Sequence, residues 1–248
     1  MFTTTRIIFL LLQFVIANVH AACEDPPRKG VIWIDCNLQG KDLRKVDLRS
    51  AVLTRSNLSN ADLRGAKLNG VDFSFANLSN ARLQKARLNG AIFVRADLAQ
   101  ANMEGALLDG AKLGRANLQG ARLRGAKLRN ASLYQANLAG ADLSAAQLQG
   151  ADLTQSNLDE VELTGSDLSG AILKEASLED AILKGVNLRG ANMERANLLF
   201  ADLSDADLSG AYLVGAAMTE TLLDGARLDK TLWTDRRRCR PESVGSCD

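Results

Sequence analysis

Leucine-like residues recur at a strict interval of five along most of this 248-residue chain. Every fifth position from Leu38 to Leu228 is Leu, Phe or Met, and the residue two positions earlier is small, usually Ala. On an α-helix a step of five turns about 140°, so these residues would spiral around it. On a straight strand they would alternate between opposite faces. The spacing buries one interior only if the chain turns a corner about every five residues, which predicts a solenoid.

A second period of 20 residues sets the number of sides. Asn, or Asp at position 97, precedes the leucine at most positions of this interval, and Gly repeats in another phase of the same period. Phe73, Phe93 and Met193 share a third phase with Trp33 and Trp233. Equivalent residues should therefore stack after every four units. The two columns are Asn37, Asn57, Asn77, Asp97, Asn117, Asn137, Asn157 and Asn197, and Gly70, Gly90, Gly110, Gly150, Gly170, Gly190 and Gly210.

Units such as Ala116-Asn117-Leu118-Gln119-Gly120 closely resemble the pentapeptide repeat family, whose motif is A-(D/N)-L-x-x. The resemblance implies an all-β fold, a right-handed quadrilateral β-helix (solenoid) with four pentapeptides per coil. About ten coils, spaced 4.8 Å apart, would form a rod roughly 48 Å long. We expect a signal peptide at residues 1–21, an N-terminal cap at 22–35, the β-helix at 36–235 and a disulfide-capped tail at 236–248.

The N-terminal sequence predicts export to the periplasm or the extracellular space. Arg6 precedes an apolar stretch at residues 7–17, and Val19-His20-Ala21 matches a signal-peptidase site. The apolar stretch is too short to span the roughly 30 Å hydrocarbon core of a membrane. We expect no transmembrane segment after cleavage. Lipoprotein anchoring at Cys23 is the alternative, which His20 disfavours because that signal takes a small aliphatic residue there.

Four cysteines flank the repeat and fit an oxidising compartment. Three pairings are possible, and the short loops Cys23–Cys36 and Cys239–Cys247 favour one disulfide at each end. A zinc site is the competing interpretation, but the two pairs would have to meet across the length of the rod. We expect the disulfides, with Trp33 and Trp233, to protect the exposed coil ends.

The sequence offers no catalytic constellation. The single histidine, His20, lies within the expected signal peptide, so cleavage would remove Ser-His-Asp and Cys-His chemistry. The Asp residues fit turn-side hydrogen bonding, and the Gly residues lack the strand–loop–helix context of a phosphate loop. We predict a protein that is not an enzyme and has no metal, cofactor or small-molecule substrate.

Charge is divided along the chain although its formal total is only +1. Residues 22–130 carry 19 Lys/Arg against 10 Asp/Glu, and residues 131–235 carry 6 against 17. Counting sides from the Leu38 unit, the second and third sides carry a basic band and the first side an acidic cluster. The basic band comprises Arg44, Lys45, Arg49, Arg64, Lys67, Arg82, Lys85, Arg87, Arg122, Arg124, Lys127 and Arg129, and the acidic cluster comprises Asp159, Glu160, Glu179 and Asp180.

Several functions are open to such a rod. The charges could serve solvation alone. Alternatively, the basic band binds a protein or another anionic envelope component, or the rods associate head to tail. Binding of a polyanion would weaken steeply with salt, and the lack of aromatic residues in the band favours lipid headgroups or polysaccharide over nucleic acid. Some pentapeptide repeat proteins mimic DNA and bind topoisomerases, but a basic half and export argue against that role. We favour a rigid binding scaffold, and the sequence identifies neither its partner nor its oligomeric state.

Overall fold

The computed structural model describes residues 23–247, so the expected signal peptide lies outside the described residues. This range contains no α-helix, and hence no helix that could cross a bilayer. Each five-residue unit has one residue in a β-bridge, followed by a turn or bend. The regular pattern runs from Val31 to Asp235 and therefore includes the last residues of the segment expected to form the N-terminal cap.

Parallel β-bridges join each bridging residue to the residue 20 positions further along. The series continues without a gap from Ile32–Val52 to Tyr212–Leu232. In the middle of the rod, the Leu118 amide donates to Asn137 O at 2.6 Å, and the Asn137 amide donates to Ala116 O at 3.0 Å. This step of 20 is the register that four units per coil predicts.

Four faces follow from this register, and each is defined by the central residues of its units. The first face contains the units centred on Leu38 and every twentieth residue after it. The second, third and fourth faces start at Leu43, Leu48 and Leu53 in the same way, with Trp33 beginning the fourth face. Residues on one face stack along the rod, whereas neighbouring units in sequence lie on adjacent faces.

A reverse turn closes the typical unit. The Ala121 amide donates to Leu118 O at 2.9 Å, and the fifth residue of the unit between them, Gly120, has φ +62°. Every fifth residue from Gly30 to Lys230 has a positive φ, which a type II turn requires at its third position. The predicted Gly column therefore occupies left-handed corners. The Asn117 side chain accepts the Gln119 amide at 3.3 Å, so the Asn column also stabilises turns.

The core consists of the central residues and the small residues two positions earlier. All central residues from Leu38 to Leu228 are buried except Met218 and Leu223 at the C-terminal end. Phe73 and Phe93 stack with ring centroids 5.0 Å apart, because equivalent positions on one face lie one coil apart. Ala is the usual residue two positions before each central residue, and its small side chain leaves room for the backbone at each corner.

Each end of the rod carries a disulfide. Cys23 pairs with Cys36, and Cys239 pairs with Cys247, the pairing that the short loops favour. The tail folds back onto the last coil through antiparallel bridges from Val244 to Arg227 and from Arg238 to Leu232. These bridges protect the third and fourth faces of the last coil and leave its first and second faces without a covering strand.

Candidate interaction surface

The residues of the basic band lie on the second and third faces. On the second face Arg82, Asn102 and Arg122 follow one another through successive bridges. On the third face Lys67 bridges Arg87, and Leu107 bridges Lys127. The parallel register thus places cations that are far apart in sequence along one flank of the N-terminal half.

Three arginines of the band are neutralised by their own units. The guanidinium groups of Arg44, Arg49 and Arg64 each bind the Asp two residues earlier at 2.6 Å. The side-chain hydrogen bond from Arg44 holds the pKa of Asp42 at about 2, well below its usual range. Arg49 lowers the pKa of Asp47 to about 2 in the same way. These arginines are therefore poor candidates for binding another anion.

Two more arginines of the band have partners in neighbouring coils. Arg122 forms an ion pair with Glu104 at 2.6 Å, and the Arg129 side chain donates to the Gln147 side chain. Seven cations form no ion pair with any described residue. These unpaired cations are Lys45, Lys67, Arg82, Lys85, Arg87, Arg124 and Lys127.

One bridge within the unpaired set joins like charges directly. Lys67 and Arg87 occupy opposed positions on adjacent coils of the third face. Like charges placed directly opposite each other destabilise a sheet. Asp47, the preceding residue of the same column, gives Lys67 an opposite charge on its other side, whereas Arg87 is followed by Leu107. The outward-facing bridge positions would accept an opposite charge, so the fold does not require this local excess of positive charge.

A surface notch lies where the unpaired lysines flank a glycine. Lys45, Gly65 and Lys85 occupy equivalent corners of three successive coils on the second face, and Arg64 and Gln84 complete the lining. The notch has a volume of about 400 Å³. Because Gly65 has no side chain, the stems of the two lysines border this notch.

The acidic cluster is partly used within the fold. Asp159 accepts hydrogen bonds from the Ser177 hydroxyl at 2.5 Å and from the Glu179 amide at 3.1 Å. Glu179 in turn accepts from the Asn197 side chain at 3.1 Å. Glu160 and Asp180 occupy exposed left-handed corners on adjacent coils. The acidic cluster therefore offers two carboxylates without a hydrogen-bond or ion-pair partner among the described residues, rather than four.

The fourth face carries a ladder that the sequence analysis missed. Arg115, Gln135, Gln155 and Glu175 lie at equivalent corners, and each side chain hydrogen-bonds to the next at 2.8 Å. The recurrence of long polar residues at a spacing of 20 could have revealed it. The same face displays most of the large exposed apolar side chains: Ile32, Phe75, Tyr134, Ile172 and Tyr212.

The described residues include no group of three or more His, Cys, Asp or Glu placed to hold a metal ion. The fold and surface instead define a class: a four-sided β-solenoid with a core of mostly Leu and Ala and a polar outer surface. The family model for pentapeptide repeats matches this chain in overlapping stretches from residues 34–70 to 201–231. The chain belongs to the pentapeptide repeat family. Its solved members are right-handed quadrilateral β-helices and are generally non-enzymatic structural or binding proteins.

Solved structures of other pentapeptide repeat proteins resemble the chain. HetL, involved in heterocyst differentiation regulation in the cyanobacterium Nostoc sp. strain PCC 7120, is 32% identical, with coverage of 83% of this chain and 92% of HetL and a TM-score of 0.42. A thylakoid-lumen protein of Arabidopsis thaliana is 36% identical over 40% of this chain and 66% of its own, with a TM-score of 0.34. QnrB1, a plasmid-mediated fluoroquinolone resistance protein, is 23% identical over 72% and 82%, with a TM-score of 0.40. The comparison with curated proteins found no match.

Proposed function

We propose that this protein is an exported, rigid binding scaffold that captures an anionic partner through the basic band. The observation that carries this proposal is the set of seven cations without ion pairs on adjacent faces of the N-terminal half. The disulfides at both ends are consistent with export to an oxidising compartment. About ten coils would present the band along half of a rod roughly 48 Å long.

The partner is proposed to be a protein with an acidic surface. A rigid solenoid displays its outer residues at fixed spacing, which suits recognition of one surface shape. The alternative is a polyanion such as lipid headgroups or acidic polysaccharide, favoured by the linear order of the cations along the rod. Mimicry of DNA is not proposed, because residues 22–130 have an excess of positive charge.

Two triple variants with the same change of charge test the proposal. Replacement of Arg82, Lys85 and Arg87 by Gln removes unpaired cations, whereas replacement of Arg44, Arg49 and Arg64 by Gln removes cations already bound to Asp. We expect the first variant to lose crosslinked partners from native cell envelopes and the second to retain them. Equal capture by both variants and the unmodified protein would refute the role of the band.

The salt dependence of binding, measured with two defined probes, distinguishes a polyanion from a protein partner. A polyanion should be released steeply as salt rises, because each phosphate or sulfate contact liberates counterions. We would measure binding of phosphatidylglycerol vesicles and of heparin at 50 and 200 mM salt. Salt-sensitive binding to either probe, without any captured protein, would favour the polyanion over the protein partner.

The Lys67–Arg87 bridge provides an independent test. Replacing Arg87 with Asp would put a carboxylate opposite Lys67, and such opposite-charge pairs contribute roughly 0.2–1 kcal/mol. We therefore expect Arg87→Asp to raise the melting temperature slightly while weakening partner capture. A gain of stability with undiminished capture would show that the like-charge pair has no binding role.

A further inference from the structure

Half of the C-terminal end of the rod is left open. The tail covers the third and fourth faces of the last coil, where the Leu228 amide donates to Ser243 O and the Trp233 amide donates to Arg237 O, both at 2.8 Å. The equivalent residues of the first and second faces, Met218 and Leu223, have no such cover. They are the two central residues of the uninterrupted series that are not buried.

The open half also presents unpaired backbone groups. Among the described residues, the amides of Met218, Glu220, Leu223 and Gly225 have no hydrogen-bond acceptor, and Thr221 O accepts no hydrogen bond. On the covered half, the carbonyls of Ala226 and Thr231 accept amides of the tail at 2.9 Å. On the covered half the added strand therefore pairs the amides of the central residues and these carbonyls, although the amides of Lys230 and Asp235 have no acceptor among the described residues, whereas on the open half the amides of the central residues are unpaired as well.

The surroundings of the open half indicate what it binds. The open half itself, residues 216–225, includes Glu220 and Asp224 and contains neither Lys nor Arg, whereas the adjoining tail over the covered faces carries Arg236, Arg237, Arg238 and Arg240. Leu222 is 52% exposed beside the two incompletely buried core residues. A second copy of this half would bring carboxylates against carboxylates, which electrostatics disfavours. An extended segment with apolar and basic side chains would satisfy the core, the charges and the backbone together.

We propose that the open half of the last coil binds an extended, basic and apolar segment of a partner protein by strand addition. The incoming backbone would pair with the vacant amides, as in other cases of β-augmentation. Its apolar residues would cover Met218 and Leu223, and its Lys or Arg residues would approach Glu220 and Asp224. This site lies at the opposite end of the chain from the basic band and does not depend on the proposed function.

The chain's own repeat supplies a suitable probe. A decapeptide with the sequence of residues 121–130, Ala-Arg-Leu-Arg-Gly-Ala-Lys-Leu-Arg-Asn, contains two units with basic outer positions. Continued in the register of 20, its two leucines would lie over Met218 and Leu223, and its last Arg over Asp224. The same peptide with Glu in place of its four basic residues is the matched control.

Amide hydrogen exchange of the full chain tests the proposal at the atoms concerned. We expect the amides of Met218, Glu220, Leu223 and Gly225 to exchange rapidly in the free protein and to become protected by the basic peptide. The Glu-substituted peptide should leave them unprotected. Binding of the basic peptide without this protection, or no binding at millimolar concentration, would overturn strand addition.

Two charge variants test the stated chemistry of the occupant. Glu220→Lys with Asp224→Lys should weaken peptide binding about tenfold, because both partners then repel. Glu160→Lys with Asp180→Lys changes the net charge equally at coils away from the end and should leave the affinity unchanged. Equal affinities of the two variants would refute the charge assignment. Protection of the four amides that rises with protein concentration alone would identify a second copy as the occupant and overturn the proposal.

Discussion

The energetic cost of a left-handed backbone conformation can be measured in this fold at one column of corner residues. Ala145 and Gly165 occupy equivalent corners on adjacent coils of the second face, with φ +55° and +66°. A Cβ at Gly165 would meet no atom within 4 Å. Exchanging the two residue types, by Ala145→Gly and Gly165→Ala in separate variants, therefore perturbs the backbone without a steric clash.

The expected magnitude follows from two opposing terms. A left-handed conformation costs an L-residue roughly 1–2 kcal/mol. Ala in place of Gly regains about 0.4–1 kcal/mol, because it restricts the unfolded chain. On balance, we expect Gly165→Ala to lower the free energy of unfolding by about 1 kcal/mol and Ala145→Gly to raise it by a similar amount. Gly120→Ala should cost a similar amount, because the Gln100 side-chain amide that its Cβ would meet is the flexible end of an exposed residue and can move aside.

Urea unfolding at 25 °C measures these differences, provided that the dependence on denaturant stays constant among the variants. Circular dichroism and tryptophan fluorescence should give coincident transitions for the comparison to hold, because repeat proteins can unfold in parts. The reasoning would be refuted if Ala145→Gly destabilised the protein, or if Gly165→Ala left its stability unchanged. Either result would mean that contacts along the column, and not the backbone conformation, determine the residue at this corner.

Three further outcomes follow from the core, the tail and the paired carboxylates. Substituting Leu for each ring of the Phe73–Phe93 pair should show a coupling of about 0.5–1.5 kcal/mol in a double-mutant cycle, and additive losses in urea would contradict it. Removing the disulfide Cys239–Cys247 with Ser should cost about 2.5 kcal/mol, the closure entropy of its short loop, and an unchanged midpoint would show that hydrogen bonds alone secure the tail. The lowered pKa of Asp42 means that its stabilising contribution is present above the unfolded pKa of about 3.9 and is lost as the pH falls towards 2. Melting temperatures from pH 5 to 2 should therefore fall less when Gln replaces its partner, Arg44.

Much of the fold could be predicted because every five-residue unit has the same requirement, which is to bury its central residue. A five-residue spacing of leucine excludes a helix and a flat strand, and the Asn and Gly columns specify which residues stack. The bridges at a step of 20 agree with both inferences. The two short disulfide loops also follow from the sequence, because the four cysteines lie outside the long middle of the repeat.

The sequence describes the candidate interaction surface only in outline, because charge does not specify which residues form ion pairs. The sequence groups Arg64 with Arg82, yet Arg64 binds Asp62 at 2.6 Å and Arg82 has no ion-pair partner among the described residues. Both arginines lie on the second face, but only Arg64 has an Asp two residues earlier in the sequence. The open half of the C-terminal end was also missed, since the path of the tail over only two faces depends on where the chain reverses after Trp233.

The distinction between core and surface explains why unbalanced charge is informative in this protein. At the bridging positions, the fold accepts residues as different as Asn117, Arg122 and Tyr212, because their side chains point outward. Structure alone therefore does not require Lys67 beside Arg87 and would favour alternating signs, as in the Asp47–Lys67 bridge. One substitution could remove this like charge from the fold, which is why the pair is a candidate for a role in binding. The proposed anionic partner would give the pair such a role, because its negative charge would offset the repulsion on binding.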